Sequence, residues 1–433
     1  MNQRKIFLKY FFHAIRNCRY AILKDVYKEI YNLPESADID LVVDVQDLEH
    51  ILNIISKGQN IVRVQNDRKG FAVFVQIFFE DLGYLEIDLI HRFDRKGKIY
   101  LSVTDVLQDS IMNSQELKAA ALHHQFIYVV LFYMLNKTDV PKRYRDYFTS
   151  CSEQERSAIF TWITAKYNVH LNTLDDLFDY HNRHRKKILS KIANDKRNQL
   201  PHSFRYKLQY VIDTVKTAVN RKGISITFTG VDGAGKSTIL DSVKQQLEGK
   251  YRQQVKVLRH RPSLLPILSS IKHGKKGAEQ KAAGTLPRQG TNRNFISSLI
   301  RFTYYYFDYL LGRPYIYWRY KSRGITVLYD RYYFDFIVDG RRSNIDISPS
   351  LVRNGYLLVS KPEVNIFLYA SPEEILKRKQ ELKEEDIRTM THDYRQLFEK
   401  FSSEYPKQKY VSLDNIELNA TINTVMKHII SAH

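Results

Sequence analysis

The chain contains the stretch ISITFTGVDGAGKSTILDSVKQQL at residues 224–247, in which an apolar run leads directly into a glycine-rich turn and a helix-forming segment. Within it, Gly230, Gly235, Lys236 and Ser237 follow the spacing of a phosphate-binding P-loop. That motif requires a buried strand before the turn and a helix after it. The stretch therefore predicts an α/β fold with a parallel sheet and flanking helices, and a site for the phosphates of a nucleoside triphosphate.

Each residue type in this loop has a physical role. The glycines permit backbone conformations in which main-chain N–H groups surround the β-phosphate at a helix N-terminus. Lys236 brings a positive charge toward the β and γ oxygens, and Ser237 offers a hydroxyl ligand for Mg²⁺. We therefore expect ATP and Mg²⁺ as cofactors. The residues expected to contact the nucleotide are Gly230, Asp232, Gly233, Ala234, Gly235, Lys236, Ser237 and Thr238.

A second motif distinguishes phosphoryl transfer from other uses of a P-loop. The stretch GITVLYDRYYFDFIVDGRR at residues 324–342 contains another apolar run that ends in Asp330, followed by Arg331. An acidic residue at the end of a neighbouring parallel strand is placed to assist Mg²⁺ and its water, and the arginine beside it faces the cleft for an acceptor. This pattern favours transfer to an acceptor over motor ATPase work.

The C-terminal half, from about residue 224 onward, resembles the thymidylate kinase family. GVDGAGKST is similar to that family's phosphate loop, and DRYYFD is similar to its Asp-Arg-Tyr segment. The resemblance implies that Asp330 assists magnesium and the attacking group, that Arg331 holds an acceptor phosphate, and that Tyr332 lines the acceptor pocket. Kinases of this build often dimerise, so a homodimer is one expectation.

The resemblance also implies a lid arginine. When the variable part of the loop lacks an arginine, as residues 231–234 do here, family members usually carry it in the lid. The segment SPEEILKRKQELKEED, residues 371–386, is predicted to be a helix at that position. Arg378 within it is therefore expected to close over the γ-phosphate in the transition state. The alternative is that residues 371–386 form an exposed, charged helix without a catalytic role, since such a helix would have a similar composition.

Two segments depart from the family pattern around the acceptor. RHRPSLLP at residues 259–266 lacks the glutamate of the family's Arg-Glu-Pro segment, and IVDGRR at residues 337–342 replaces the expected glutamine. Because of these two departures, the resemblance does not imply specificity for a thymidine nucleotide. Arg259 and Arg261, with two further arginines at 341 and 342, predict a cationic acceptor side suited to a phosphorylated small molecule. This combination resembles a thymidylate-kinase-like subgroup associated with bacterial surface-polysaccharide gene clusters.

Three aspartates mark the N-terminal part. Asp38 and Asp40 alternate on a predicted strand and so point to the same face, and Asp88 lies on a later strand. Three converging carboxylates hold metal ions for attack on an α-phosphate. Residues 19–93 resemble the polymerase-β-like nucleotidyltransferase superfamily, which implies two Mg²⁺ ions here. The superfamily's Gly-Ser pair is absent, and DVYKEIYNLPES stands in its place. The resemblance therefore does not imply that this part of the chain binds a triphosphate.

The changes in pattern along the chain predict three regions. Residues 1–110 form a small mixed α/β part whose runs YAILKD, DIDLVVD, NIVRVQ, FAVFVQIFF and YLEIDLI are predicted strands. Residues 111–222 show helical spacing, and 223–433 form the P-loop part. His123 and His124 lie on an apolar helical face in the middle region, where packed histidines are expected.

Composition limits the class of protein. No stretch has the roughly 20 apolar residues of a membrane span, and Cys18 and Cys151 lack metal or disulfide spacing, so a cytoplasmic protein is expected. The 67 Lys and Arg against 47 Asp and Glu give a net charge of +20. That charge, with the basic segment 269–294, leaves open a second interpretation: a nucleic-acid-binding or regulatory protein with a nucleotide-gated P-loop.

Overall fold

The computed structural model describes residues 2–24, 29–35, 37–95, 97–220, 223–262, 264–265, 294–379 and 382–432. The chain forms two compact units, Met1–Thr217 and Ala218–His433. The first has a mixed sheet and the second a parallel sheet with flanking helices, which confirms the expected fold class. The division of the chain at residues 110 and 222 stays a prediction.

The five predicted strand runs of the first unit all contribute to its sheet. In the order β3-β4-β5-β2-β1-β9-β8, the strands pair antiparallel except for β2 with β5 and β1 with β9. β6 and β7 form a separate ribbon. The bounds are β1 (Tyr20–Ile22), β2 (Asp38–Val43), β3 (Ile61–Arg68), β4 (Ala72–Phe79), β5 (Tyr84–Ile90), β6 (Asp94–Arg95), β7 (Lys98–Ile99), β8 (Ile111–Met112) and β9 (Lys118–Ala119).

Helices cover both faces of this sheet. The helices are α1 (Gln3–Ala14), α2 (Leu48–Ser56), α3 (Val103–Gln108), α4 (Leu122–Asn136), α5 (Lys142–Thr149), α6 (Glu153–Tyr167), α7 (Arg185–Ala193) and α8 (His202–Asn220), with 3₁₀ turns at Ile30–Asn32, Leu174–Leu177 and Lys196–Asn198. Helices α1 and α2 share one core with alternate residues of β2, β4 and β5. Helices α4 to α7 share another core with Val42, Ala72 and Ile90 on the opposite face.

The middle region is less purely helical than its composition predicts. Residues 111–112 and 118–119 pair with each other and extend the edge of the sheet beside β1, so the long helix α4 begins only at Leu122. From there the expected helical spacing holds. Helix α4 is buried around its whole circumference in this part, because its six consecutive residues from Phe126 to Leu131 all belong to the core formed by the sheet and helices α5 to α7.

The second unit is built on five parallel strands in the order β11-β12-β10-β13-β14. Their bounds are β10 (Ser225–Thr229), β11 (Val255–Arg259), β12 (Thr326–Asp330), β13 (Val364–Tyr369) and β14 (Lys409–Asp414). The central strand β10 is buried along its whole length, as its apolar sequence predicts. The loops that follow β10, β11 and β12 therefore meet at one edge of the sheet, where ligands of open α/β folds bind.

The helices of this unit flank the sheet. They are α9 (Lys236–Gly249), α10 (Phe295–Arg319), α11 (Phe334–Val338), α12 (Pro349–Gly355), α13 (Pro372–Arg378), α14 (Glu384–Glu404) and α15 (Leu418–Ile430), with 3₁₀ turns at Lys321–Arg323 and Gly340–Ser343. The single helix predicted for residues 371–386 is wrong. Lys379 adopts an extended backbone, so α13 ends at Arg378 and α14 begins at Glu384.

One sequence feature lies outside the described residues. The basic segment 269–294, on which the nucleic-acid interpretation partly depends, lies outside the described residues except for Asn294. Among the helices in the described part of the chain, none has the length and apolar character needed to cross a bilayer.

The aromatic core of the second unit provides a test of the fold. Phe334 is fully buried and packs on Phe398, Phe401 and Tyr356 with ring centroids 5.1, 6.0 and 5.6 Å away. We expect Phe334→Ala to lower the free energy of unfolding of this unit by about 3–5 kcal/mol, because it removes packing and leaves a cavity. Denaturant unfolding monitored by circular dichroism measures the change.

The matched control is Phe295→Ala, whose side chain is 56% exposed. It should change the free energy of unfolding by no more than about 0.5 kcal/mol. Equal effects of the two substitutions would contradict the assignment of Phe334 to the core.

Candidate functional site

The phosphate loop joins β10 to α9 through backbone conformations that favour glycine. Gly230, Gly233 and Gly235 have φ of +146°, +91° and +87°, which L side chains rarely adopt. At Gly230 a Cβ would also collide with the carbonyl oxygen of Leu368 on β13. The loop can therefore pass this close to the neighbouring strand only because position 230 has no side chain.

Lys236 places its ammonium inside the loop. Its Nζ donates a hydrogen bond to the carbonyl oxygen of Val231 at 2.8 Å and lies 3.7 Å from Oδ1 of Asp232. Burial, together with the nearby charge of Arg331, lowers the pKa of Lys236 to about 7. An anionic ligand in the loop would favour the charged form of this amine, since opposite charges raise the pKa of a lysine.

Ser237 and Thr238 lie in the first turn of helix α9, and both are exposed, so their hydroxyls are open to a ligand. Asp330 ends β12, in register with Phe228 on β10 and Arg259 on β11. Asp330 thus ends the strand beside β10, whose following loop leads to Ser237, and the binding of Mg²⁺ by these two residues stays a prediction. An ammonium, two hydroxyls and a helix N-terminus form a donor set that fits a triphosphate.

Arg331 does not face an open cleft. Its guanidinium is buried between two carboxylates: it donates to Asp335 at 2.6 Å, to Asp232 in the loop, and to the carbonyl oxygen of Gly230 at 3.3 Å. Asp335 also accepts hydrogen bonds from the hydroxyls of Thr229 and Tyr394. Arg331 therefore ties the phosphate loop to the segment after β12.

The charges in this network stabilise one another. Burial by itself would raise the pKa of Asp335, but Arg331 lowers it below the ordinary value of an aspartate. The pKa of Asp232 is lowered in the same way, because Arg331, Lys236 and Arg342 outweigh its burial. Burial also opposes the charge on Arg331, and the two carboxylates nevertheless raise its pKa. Asp232, Asp335 and Arg331 are thus held in their ionised forms.

The backbone of Arg331 is strained. It has φ of +75°, in the left-handed region that costs a non-glycine residue about 1–2 kcal/mol. Its N–H donates to the carbonyl oxygen of Phe228 at 2.8 Å, which holds the turn against β10. The ion pairs of the side chain supply the constraint that keeps this conformation.

The arginines predicted for the acceptor side occupy different environments. Arg259 is exposed at the end of β11. Arg342 is partly exposed and contacts Asp232. Arg261 is buried, where it donates to Asp308 at 2.7 Å and to the carbonyl oxygen of Leu265 at 3.0 Å. Arg259 and Arg342 therefore have guanidinium groups closer to solvent than Arg261.

Tyr332 is buried in the aromatic core. Its hydroxyl donates to the carbonyl oxygen of Ser360 at 2.7 Å, and its ring packs on Tyr329 and Tyr309. The substrate roles predicted for Tyr332, Arg259, Arg261 and Arg331 stay predictions.

Arg378 is the last residue of α13, and its side chain is 42% exposed. Its Nη1 lies 3.9 Å from the position that a Cβ on Gly235 would occupy, so the guanidinium reaches the phosphate loop. Its nearest described carboxylate is Glu374, at 3.6 Å on the same helix. The predicted lid arginine is therefore placed beside the loop, and its contact with a γ-phosphate stays a prediction.

Two residues of this site were missed from the sequence. Asp335 lies four residues after Arg331, a helical spacing that offered a signal for their ion pair. Asn415 follows β14 and donates its side-chain amide to the carbonyl oxygen of Ala234 at 3.0 Å. Nothing in the local sequence connects Asn415 to Ala234, which lies 181 residues earlier, because only the parallel sheet brings them together.

The first unit brings Asp38, Asp40 and Asp88 together as predicted. Asp40 and Asp88 face each other in the parallel pair β2 and β5, and the three residues have carboxylate oxygens within 4.8 Å of one another. Lys24 contacts Asp40 and lies 4.0 Å from Asp38. Among the described residues, Oδ1 of Asp88 is buried without a hydrogen-bond partner. An all-oxygen set with one unsatisfied atom fits Mg²⁺.

One lysine does not neutralise this group. Burial and the neighbouring charge of Asp40 raise the pKa of Asp88 to about 9, and burial also raises the pKa of Asp40 against the effect of Lys24. A second cation would lower both values, because it would offset the repulsion among the carboxylates.

The second unit contains a match to a known family model. Residues 228–426 match the family model described as thymidylate kinase. Similar solved structures include the thymidylate kinases of Candida albicans and Ehrlichia chaffeensis, both 18% identical, with TM-scores of 0.32 and 0.31. Each similarity covers 48% of this chain, and 92% and 99% of those chains, respectively. No curated protein matches the chain.

The ion pairs around Arg331 predict that neutralising a buried carboxylate destabilises the second unit more than neutralising an exposed one. We expect Asp335→Asn to lower the free energy of unfolding of the second unit by about 3–5 kcal/mol, because it leaves Arg331 buried with one partner fewer. Asp346→Asn, on an exposed side chain of the same unit, should be close to neutral. Denaturant unfolding of both variants measures the difference, and equal stabilities would show that the network contributes little.

Proposed function

We propose that residues 223–433 transfer the γ-phosphoryl group of ATP, with Mg²⁺, to a phosphorylated small molecule, either a nucleoside monophosphate or another phosphorylated metabolite. The observation that supports this best is the joining of two motifs. Arg331, next to Asp330, is bound through Asp232 to the loop that carries Lys236. The match of residues 228–426 to the thymidylate kinase model supports the same reaction class.

On the donor side, the loop would bind the triphosphate through its main chain, Lys236 and the N-terminus of α9. Ser237 and Asp330 would hold Mg²⁺, which neutralises charge on the β- and γ-phosphates when bound. Arg378 would approach the γ-phosphate from α13. Transfer then depends on positioning and on positive charge around the equatorial oxygens, with little covalent chemistry for the protein to perform.

On the acceptor side, Arg259 at the end of β11 and Arg341 in the 3₁₀ turn Gly340–Ser343 are exposed, and Arg342 in the same turn is partly exposed. A phosphate bound there would compete with Asp232 for Arg342, since both are anions. Arg331, held by two carboxylates, would act by positioning the loop. The missing glutamate and glutamine of the family pattern favour an acceptor other than thymidylate.

For the first unit we propose nucleotidyl transfer that activates a sugar or polyol for surface-glycan assembly. The convergence of Asp38, Asp40 and Asp88 supports this activity, because paired carboxylates of this kind hold the metal ions for attack on an α-phosphate. Lys24 occupies the space between Asp40 and Asp38. Metal binding would displace its ammonium.

Kinase activity is tested with a panel of nucleoside monophosphates, sugar phosphates and polyol phosphates, scored by mass spectrometry for ATP-dependent gain of a phosphoryl group. Lys236→Ala should abolish ATP turnover, because it removes the charge that faces the β and γ oxygens. Asp330→Ala should retain ATP binding and lose transfer by at least about a hundredfold. Lys244→Ala, at a partly exposed position of the same helix, is the matched control.

Full phosphotransfer by Lys236→Ala would refute the site. If no acceptor is phosphorylated and the protein instead binds DNA or RNA with an affinity that falls steeply with salt, the alternative of a nucleotide-gated nucleic-acid-binding protein is favoured.

The acidic group of the first unit is tested by Mn²⁺ titration followed by electron paramagnetic resonance. Asp40→Asn should weaken Mn²⁺ binding, because it removes a charged ligand. Lys24→Gln should tighten Mn²⁺ binding by about tenfold or more, because the competing ammonium is gone. Glu80→Gln, an exposed acidic residue of the same unit, is the control. If Lys24→Gln leaves the affinity unchanged, the ammonium does not compete with a metal.

A further inference from the structure

A second cluster of metal-ligating side chains lies in the first unit, formed by Asp109, His123 and His124. Asp109 caps the C-terminal end of α3, and the two histidines lie in the first turn of α4. Each of the three residues offers a ligand atom within 4.8 Å of the others. The cluster shares no residue with the acidic group of Asp38, Asp40 and Asp88, and neither proposed reaction uses it.

The distances are close to those of a coordinated metal. Nε2 of His124 and Nε2 of His123 lie 2.8 and 3.8 Å from the same carboxylate oxygen of Asp109. Ligands held at about 2.0–2.1 Å around a tetrahedral Zn²⁺ are separated from one another by about 3.3 Å. Shifts of roughly half an ångström would bring both of these separations to that value, and the third separation, between the two histidines, is within 4.8 Å.

A packed histidine pair explains only part of this arrangement. The hydrogen bond to Asp109 accounts for Nε2 of His124, whose side chain is 1% exposed. Nε2 of His123 is also buried, yet within the described part of the chain it has no hydrogen-bond partner, and 3.8 Å to Asp109 is too long for one. Buried polar atoms are usually satisfied. An ion beside this nitrogen would satisfy it.

We propose that Asp109, His123 and His124 bind one transition-metal dication of the zinc class, with a coordination position left open to solvent. Two imidazoles and one carboxylate suit Zn²⁺, Co²⁺ or Fe²⁺, whereas Mg²⁺ prefers oxygen ligands. The side chain of Asp109 is 51% exposed, so the open position lies on its side of the cluster. Three protein ligands with one free position form the usual set of a reactive zinc site.

Trp162 on α6 provides a local reporter. Its ring lies 5.3 Å from that of His123 and 5.4 Å from that of His124. The chain has two tryptophans, and the other, Trp318, is exposed in the second unit. A full-length Trp318→Phe background therefore leaves Trp162 as the single tryptophan, and Co²⁺ bound to the cluster should quench its fluorescence.

The experiment titrates Co²⁺ and then Zn²⁺ into chelator-treated full-length protein in this background. We expect quenching that saturates at one equivalent of Co²⁺, visible d–d absorption of low-symmetry Co²⁺, and recovery of fluorescence when Zn²⁺ displaces it. His123→Gln and Asp109→Asn should each weaken the affinity at least tenfold. His170→Gln, an exposed histidine of the same unit, should not change it.

Circular dichroism of each chelator-treated variant checks that the fold is retained, and His123→Gln carries the test because His123 is less buried than His124. The proposal is overturned if Co²⁺ fails to quench Trp162 in the wild-type cluster. It is equally overturned if a saturable site persists unchanged in both His123→Gln and Asp109→Asn, since the metal would then bind elsewhere.

Discussion

A buried guanidinium between two carboxylates connects the parts of the second unit on which its site depends. Arg331 bridges Asp232 in the phosphate loop and Asp335 at the start of α11. A buried ion pair of this kind is weak evidence for stability, because desolvation offsets much of the attraction. Its directional hydrogen bonds nevertheless set the loop, the end of β12 and the strained turn at residue 331 in one relative position. Preorganisation of this kind is what phosphoryl transfer requires.

The two units handle buried charge differently. Around Asp232 the positive charges of Arg331, Arg342 and Lys236 lower the pKa of the carboxyl despite its burial. Around Asp88 the carboxylates outnumber the one lysine, and the pKa is raised to about 9. The charge of Asp232 is thus balanced by positive groups without a ligand. A bound anion would compete with Asp232 for these cations. The group around Asp88 is short of positive charge and is therefore suited to a cation.

The helical middle region shapes the first unit as much as its sheet does. Alternation along β2 directs Leu41 and Val43 toward α1 and α2, and Asp40 and Val42 toward α4. The hydroxyl of Tyr128 on α4 approaches Asp40 at 3.4 Å. The helices that bury the opposite face of the sheet thus form one wall around the acidic group, and the same helix α4 carries the two histidines at its first turn.

The sequence alone was sufficient for the features that depend on local chemistry. The glycine spacing after an apolar run predicted the tight turn between β10 and α9, and period-two alternation predicted β1 to β5 and the shared face of Asp38 and Asp40. Apart from the meeting of Asp88 with Asp38 and Asp40, the contacts between distant segments needed the tertiary structure. The carboxylates of Asp232 and Asp335 turn Arg331 inward, a conformation that the Asp-Arg-Tyr pattern does not encode. Asn415 reaches the loop, and His123 and His124 meet Asp109, because packing brings these segments together, and side-chain patterns along one strand or helix carry no information about such distances.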